Sequence, residues 1–510
     1  MHPARGACHR GAPRRTVRDM ATICGAGVGC KPSASATTSQ TTQTTPVVRP
    51  VQNFEHIAIT PPNPAMKTLT ALLLTCLLTA CGSVQYQPLA TIDHIDHSRG
   101  YRLQNLFQNN QDDDLLLVLL ISGGGSRAAA FGYGVLEVLA ATPITGHGKT
   151  ATMLEKTDLV HGVSGGSVLA TYLALHGRET VPRFEREFLQ QNLQSTVLRQ
   201  LFSLANLPRL TSPQYGRGDL LAEELDRLLY HGATFADLAT RRKGPFALIS
   251  ATDMSIGQRI EFTQEHFDAL CLDLGQMPVA RAVAASSAVP LIFAPITLNN
   301  HGGHCRYAPP PLAQGDRDTL ARYTAPYQNS AARPYIHLLD GGLTDNLGLH
   351  SILDYSDIHG DALRAHIADG NIRDIIVISI NAQNRLDSTI DQSPDIPGLR
   401  DIAAAIINVP IDQNTEQSIR NFQRFTDEWN QQRHTGTRPT LHYINLDLND
   451  LPDGALKKRV LNIGTTFYLP EAEVRDLRTS AKILLEQNDT WRNLPGRNGN
   501  WHAPDDKPHP

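Results

Sequence analysis

The stretch HGVSGGSVLA, residues 161–170, places a serine between glycines just ahead of an apolar run. The residues before it (158–160, DLV) read as a short buried strand. Those after it keep apolar side chains at helical spacing up to Gly177, a helix stop. Strand, cramped turn and helix are the setting in which Gly162-x-Ser164-x-Gly166 can act as a nucleophile elbow. The flanking glycines carry no Cβ, so the turn can close and another group can approach the serine. The helix that follows points free N–H groups and its positive dipole end at Ser164, which favours an oxyanion there. The same spacing also fits a tight structural turn with no chemistry.

The texture repeats upstream. LLLVLLIS (115–122) is a continuous apolar run of strand length, as expected for a strand covered on both faces. It leads through Gly123, Gly124 and Gly125 into a helix that opens with Ser126 and Arg127. Three glycines leave amides bare at a helix N-terminus and so make an anion cradle, with Arg127 beside it as a fixed positive charge. Gly123-x-Gly125-x-x-Ala128 also satisfies a dinucleotide fingerprint. That reading needs an acidic residue closing a second strand, and the nearest, Asp158, opens its strand.

Downstream, strands are read at 245–254, 258–263, 335–342 and 373–383, with an edge strand at 442–448. Helices and loops fill 183–243, a helix from 278 ends near Pro290, and an amphipathic helix covers 470–487. Residues 299–334, rich in His, Gly, Pro and Asn, read as a surface insertion. Strands alternating with helices predict an α/β fold of three layers, a central and mostly parallel sheet flanked by helices. The expected organisation is a catalytic domain over 113–385 and a C-terminal helical extension over 386–510 packing on it.

The chain has 510 residues, 41% of them hydrophobic, and a net charge of −4 with no long basic run. That excludes nucleic acid as the main partner. Residues 1–65 hold seven Arg and Lys against two acidic residues and include SASATTSQTTQTT. They are expected to be disordered, or to belong to an over-called reading frame that truly starts at Met66. From Met66 runs MKTLTALLLTCLLTACGS, whose apolar stretch is shorter than the roughly 20 residues that span a bilayer. It fits a secretory signal over 66–80. Leu78-Thr79-Ala80-Cys81 resembles the lipobox of bacterial lipoproteins, which makes Cys81 the lipidated first residue and 81–112 a polar tether. The implied location is the cell envelope, on the outer membrane facing the periplasm. Residues 81–510 carry 38 basic and 48 acidic residues, net −10, so acyl chains rather than charge would hold the domain at a membrane. Of the seven cysteines, Cys271 and Cys305 then remain, and in an oxidising compartment they are expected to pair.

A base for Ser164 is sought next. Among late histidines, His337, His350, His366, His434 and His442 are candidates for an ordinary triad, although none sits in a Gly-flanked loop. Asp340-Gly341-Gly342 closes an apolar strand at a sharp turn, where a carboxylate could take the serine proton directly. It could also be a plain Asx turn. His161 is read as packing, Asp345 and Asn346 as structural, and Ser286 and Ser287 as helix-end residues. His301, His304 and Cys305 lie within five residues but in a loop of surface character; no metal and no cofactor is expected.

GGGSR, then GVSGG, then DGG, in that order, resemble the patatin-like phospholipase family, and ASSAVP (285–290) resembles its intervening segment. The resemblance covers roughly 115–380. It implies a Ser–Asp dyad without histidine: Ser164 the nucleophile, Asp340 the general base, and Gly123, Gly124 and Gly125 the oxyanion hole with Arg127 beside it. It also implies a phospholipid or lysophospholipid acyl ester as substrate. Two departures stand out: Ala128 where the family commonly has glycine, and LTDNLG after Gly342. The alternatives are a Ser-His-Asp esterase of small esters and a non-catalytic lipid-binding lipoprotein. Oligomeric state is not legible.

Overall fold

A computed structural model describes residues 87–103, 115–146, 149–308, 314–358, 372–383, 391–432 and 439–495. The leader over 66–80, Cys81, His366 and His434 lie outside the described residues, as does the segment 1–65.

Eight strands form the central sheet: β1 (Leu115–Ile121), β2 (Thr157–Gly162), β3 (Phe246–Asp253), β4 (Gln258–Glu261), β5 (Ile296–Asn299), β6 (Tyr335–Asp340), β7 (Asp374–Asn381) and β8 (Thr440–Asp447). Their order is β8-β7-β1-β2-β3-β6-β5, with β4 folded back on β3. The strands from β8 to β3 run parallel, and β6, β5 and β4 are antiparallel to their neighbours. The apolar run of β1 is explained by its place in the middle: all seven residues are buried between β7 and β2. The β1–β2 register slips between Leu117 and Val118, and the Asp158 carboxylate accepts from the Leu117 amide at 2.8 Å. Asp158 therefore mends a strand irregularity, which is a structural use and not a ribose contact.

Helices flank the sheet. α1 (Ser126–Ala141) follows β1, and α2 (Gly165–His176) follows β2. α3 (Val279–Ser286) precedes β5, α4 (Leu349–Ile358) follows β6, α5 (Leu399–Gln431) lies between β7 and β8, and α6 (Glu471–Gln487) closes along α1. Arg478 of α6 donates to Glu137 of α1 at 2.6 and 2.8 Å, locking the two helices.

Residues 299–334 are more deeply folded than a surface insertion. Asn300, Cys305 and Tyr327 are buried, Tyr327 donates to Asp253 at 3.1 Å, and Arg333 pairs with Asp253 at 2.6 Å. The polar composition that suggested exposure is engaged in inward hydrogen bonds. Cys271 and Cys305 are joined by a disulfide. The segment after 385 likewise does more than pack on a finished core, since β8 completes the parallel half of the sheet.

Candidate active site

Ser164 sits between β2 and α2 with φ 52°, a left-handed conformation unusual for a residue with a side chain. Close backbone approach enforces that turn. A Cβ on Gly162 would lie 2.6 Å from the Gly166 carbonyl oxygen, and one on Gly166 would lie 2.5 Å from that of Ile121. Gly165, which the G-x-S-x-G spacing leaves free, is the tightest: a Cβ there would be 2.0 Å from the Gly125 oxygen. The elbow is thus pressed directly onto the glycine loop after β1. A glycine directly after the serine, which makes Ser164-Gly165-Gly166 three small residues in a row, was the available signal.

Asp340 ends β6, opposite Ala251 of β3, and its carboxylate lies within hydrogen-bonding reach of the Ser164 hydroxyl. It also accepts from the Gly342 amide at 2.8 Å. Burial pushes its pKa up to about 6, while the Gly342 amide and Ser164 pull it back. Residues 286–288 splice the two halves. The Ser286 hydroxyl accepts from the Ser164 amide at 2.9 Å, the Ser286 carbonyl accepts from the Gly341 amide at 3.2 Å, and the Ala288 carbonyl accepts from the Asp340 amide at 3.0 Å. Ser286 is therefore the joint between elbow and aspartate, a role that reading it as a helix end misses.

The glycine loop divides its work differently from the expectation. The Gly123 amide donates to the Asn346 side chain at 3.1 Å and to the Asn346 carbonyl at 3.2 Å, so it is turned away from an oxyanion. Among the described residues nothing accepts from the amides of Gly124, Gly125 or Gly165. Those are the donors left for negative charge. Arg127 is buried, donates from Nε to the Ala382 carbonyl at 2.7 Å and from a terminal nitrogen to the Ile463 carbonyl at 2.5 Å. Burial pushes its pKa down to about 10. It clamps the loop to the end of β7 and to the C-terminal segment, while its other terminal nitrogen stays beside Gly124 and the side chain lines the same cavity as Ser164. The same segment closes over Gly125 (φ 61°), whose Cβ would meet the Thr466 oxygen at 2.3 Å. Ala128 takes an ordinary helical place in α1, so the absence of glycine there causes no strain.

Ser164, Asp340 and Gly124 open onto a cavity of about 540 Å3. Its wall comes from α5, through Ala403, Ala404, Ile407 and Ile411, and its mouth from Leu291 and Ile292. No histidine lines it among the described residues. His337 pairs with Thr297, His442 with Asp374, and His350 lies elsewhere, beside Arg322 and Asn414. His161 is fully buried next to Gly348, with both ring nitrogens unpartnered and its pKa lowered by burial. Asn346 lines the cavity while holding Gly123, and Asp345 accepts from the Ser351 amide at 2.8 Å. Among the described residues no group of His, Cys, Asp and Glu could hold a metal ion.

This is a serine at a strand-to-helix turn of an α/β sheet, with a carboxylate beside it and, in the adjoining glycine loop, amides that no described residue accepts from. The profile of the family described as patatin-like phospholipase matches residues 119–353, and over those residues the chain carries a patatin-like phospholipase domain. That family implies lipid acyl hydrolysis. Among solved structures the chain is similar to human GIVD cytosolic phospholipase A2, at 11% identity and a TM-score of 0.42, covering 79% of this chain and 67% of that one. The same human enzyme in complex with methyl gamma-linolenyl fluorophosphonate gives a TM-score of 0.37 at 11% identity, covering 78% and 64%. VipD from Legionella pneumophila gives 0.30 at 11% identity, covering 79% and 70%. No curated protein matches the chain in sequence.

Proposed function

We infer that this protein hydrolyses phospholipid or lysophospholipid acyl esters through a Ser164–Asp340 dyad. The observation that carries the reading is the pairing of Ser164 with a buried carboxylate of pKa about 6, at the floor of a largely apolar cavity without histidine among its described residues. A general base with that pKa is ionised at neutral pH and can still return a proton. Asp340 takes the Ser164 proton as the oxygen attacks the ester carbonyl, and the amides of Gly124, Gly125 and Gly165 receive the oxyanion. The C–O bond to the leaving alcohol breaks, and the alcohol takes the proton from Asp340. Water then attacks the acyl-serine with Asp340 again as base, which releases the fatty acid and restores Ser164.

The lipobox-like Cys81 supports tethering at a membrane of the cell envelope, which would raise local substrate concentration. Labelling with a fluorophosphonate tests the chemistry. The wild type is expected to label, Ser164→Ala not at all, and Asp340→Asn at least about 1,000-fold more slowly. Undiminished labelling of His337→Ala, His350→Ala and His442→Ala completes the expectation. Labelling that survives Ser164→Ala would remove the reading; labelling lost with one of the histidines would favour the ordinary triad.

A further inference from the structure

Resting on the hydrolase reading above, we propose that the outward face of the first three turns of α5, together with Leu291 and Ile292 at the cavity mouth, is a lipid-docking surface. It seats in the interfacial zone of a zwitterionic bilayer and passes an acyl chain straight into the cavity beneath.

Helix α5 is two helices in one. Residues 402–411 (IAAAIINVPI) contain no charged residue. Ala403, Ala404, Ile407 and Ile411 face the cavity, whereas Ile402, Ile406 and Val409 point outward, at positions i, i+4 and i+7. Ile396 and Leu399 extend that outer face and, with Ile406, are 92%, 86% and 70% exposed. After Pro410, which removes the hydrogen bond the Ile406 carbonyl would accept, the helix becomes an ordinary surface helix. It buries Thr415, Ser418, Phe422 and Thr426 and shows solvent Glu416 and Arg420. A helix apolar all round belongs to an environment that covers it on every side. The cavity takes one side of the first turns, and among the described residues nothing takes the other.

The mouth adds a second, independent feature. Leu291 has φ 69°, a conformation a branched side chain rarely adopts, and it holds that side chain in solvent. Arg217 donates to its carbonyl at 3.1 Å and fixes the turn. Strain is therefore stored to display a leucine at the entrance to the serine site.

A bilayer is the occupant because the exposed face and the cavity wall are two sides of one helix. A protein docked on that face would close the mouth its substrate must use. A bilayer would cover the face and supply that substrate at once. Residues 402–411 offer no cation to anionic lipid, and residues 81–510 carry a net −10, so the matching surface is neutral in charge. A second apolar group, Leu198, Phe202, Leu204 and Leu207, is also exposed but lines no part of the cavity.

The test uses the full chain with Cys81→Ser, so that no acyl anchor contributes, and with Ser164→Ala to stop turnover. Partition onto phosphatidylcholine vesicles is measured by cosedimentation. Ile402→Asp/Ile406→Asp is expected to weaken it at least about tenfold. With Ser164 restored, the same double variant should hydrolyse a soluble butyryl ester within about twofold of its parent, which shows that it is folded, while losing activity on vesicles. Ile406→Trp should show a blue-shifted emission on adding vesicles. Unchanged partition of the double variant overturns the proposal, as does partition lost instead through Phe202→Asp/Leu204→Asp. A parent that dimerises through this face and does not bind vesicles also overturns it. Vesicle binding through α5 without hydrolysis of either ester would support the surface and remove the hydrolase reading.

Discussion

The floor of the cavity and its wall are built by opposite means. The floor is backbone: Gly165 against Gly125, the Ser286 hydroxyl on the Ser164 amide, and the Gly341 amide on the Ser286 carbonyl. It has no room for an added methyl group and holds Ser164, the proposed nucleophile, in a strained turn. The wall is side chain: alanines and isoleucines of α5 and the exposed Leu291 and Ile292, with space between them. Chemistry needs fixed donors, because an oxyanion held 1 Å too far gains little. A lipid tail needs only apolar area and tolerates many arrangements of it. The floor should therefore break all at once, and the wall by degrees.

The largest effect is expected from the smallest change. Gly165→Ala puts a Cβ 2.0 Å from the Gly125 oxygen, a contact that must push the glycine loop away from the serine. Ester hydrolysis should fall about 100- to 1,000-fold, the scale of losing an oxyanion donor, with kcat carrying the loss and KM little changed. Steady-state kinetics on a soluble ester would show it. A drop of less than about threefold would mean that loop and elbow are not coupled as described.

Next comes a change in stability. Asp340 titrates at about 6 in the folded protein and near 3.8 in the unfolded chain. The folded state thus binds the proton more tightly, so its disadvantage appears as pH rises from about 4 to 6 and is complete above. A shift of that size corresponds to up to about 3 kcal/mol. Asp340→Asn keeps an acceptor for the Gly342 amide and removes the buried charge. The variant should be more stable than the wild type at pH 8, with the advantage vanishing below about pH 4. Denaturant unfolding at the two pH values measures it. In the wild type, kcat/KM on a soluble ester should rise with pH and reach half its plateau near pH 6. A wild type that is the more stable at pH 8 would show that Asp340 is better solvated than its burial implies.

The same contrast sets what could be read from the amino acids alone. Continuous apolar runs announced β1 and β7, and the glycines of GVSGG and DGG marked both turns, because each signal is local and each turn permits few residue types. Gly123 and Arg127 were placed at the oxyanion by motif, but which amide faces the cavity depends on Asn346, and where the guanidinium goes depends on Ala382 and Ile463, 223 to 336 residues away in sequence. Ser286 was passed over for the same reason: a serine at a helix end has many ordinary uses. The wall left the weakest trace. In sequence 402–411 is only an apolar helical stretch, and nothing in its pattern says that one side closes a cavity whose floor comes from Gly124, Ser164 and Asp340, about 60 to 280 residues upstream.

That weak trace predicts a tolerant wall. Ala404 lines the cavity from an α5 backbone that any helix former can adopt, so Ala404→Phe should fold and fill space without touching Ser164 or Asp340. Fitting a larger side chain costs about 1–3 kcal/mol where space is needed and nothing where it is not. A butyryl ester, which reaches only the floor, should be hydrolysed as before. A long-chain acyl ester should lose about tenfold in kcat/KM, carried by KM, which converts the cavity from long to short chains. Equal losses on both esters would place α5 in the chemistry and erase the division between floor and wall. No loss on either would mean that the acyl chain leaves the serine by another route, along Thr465, which also lines the cavity.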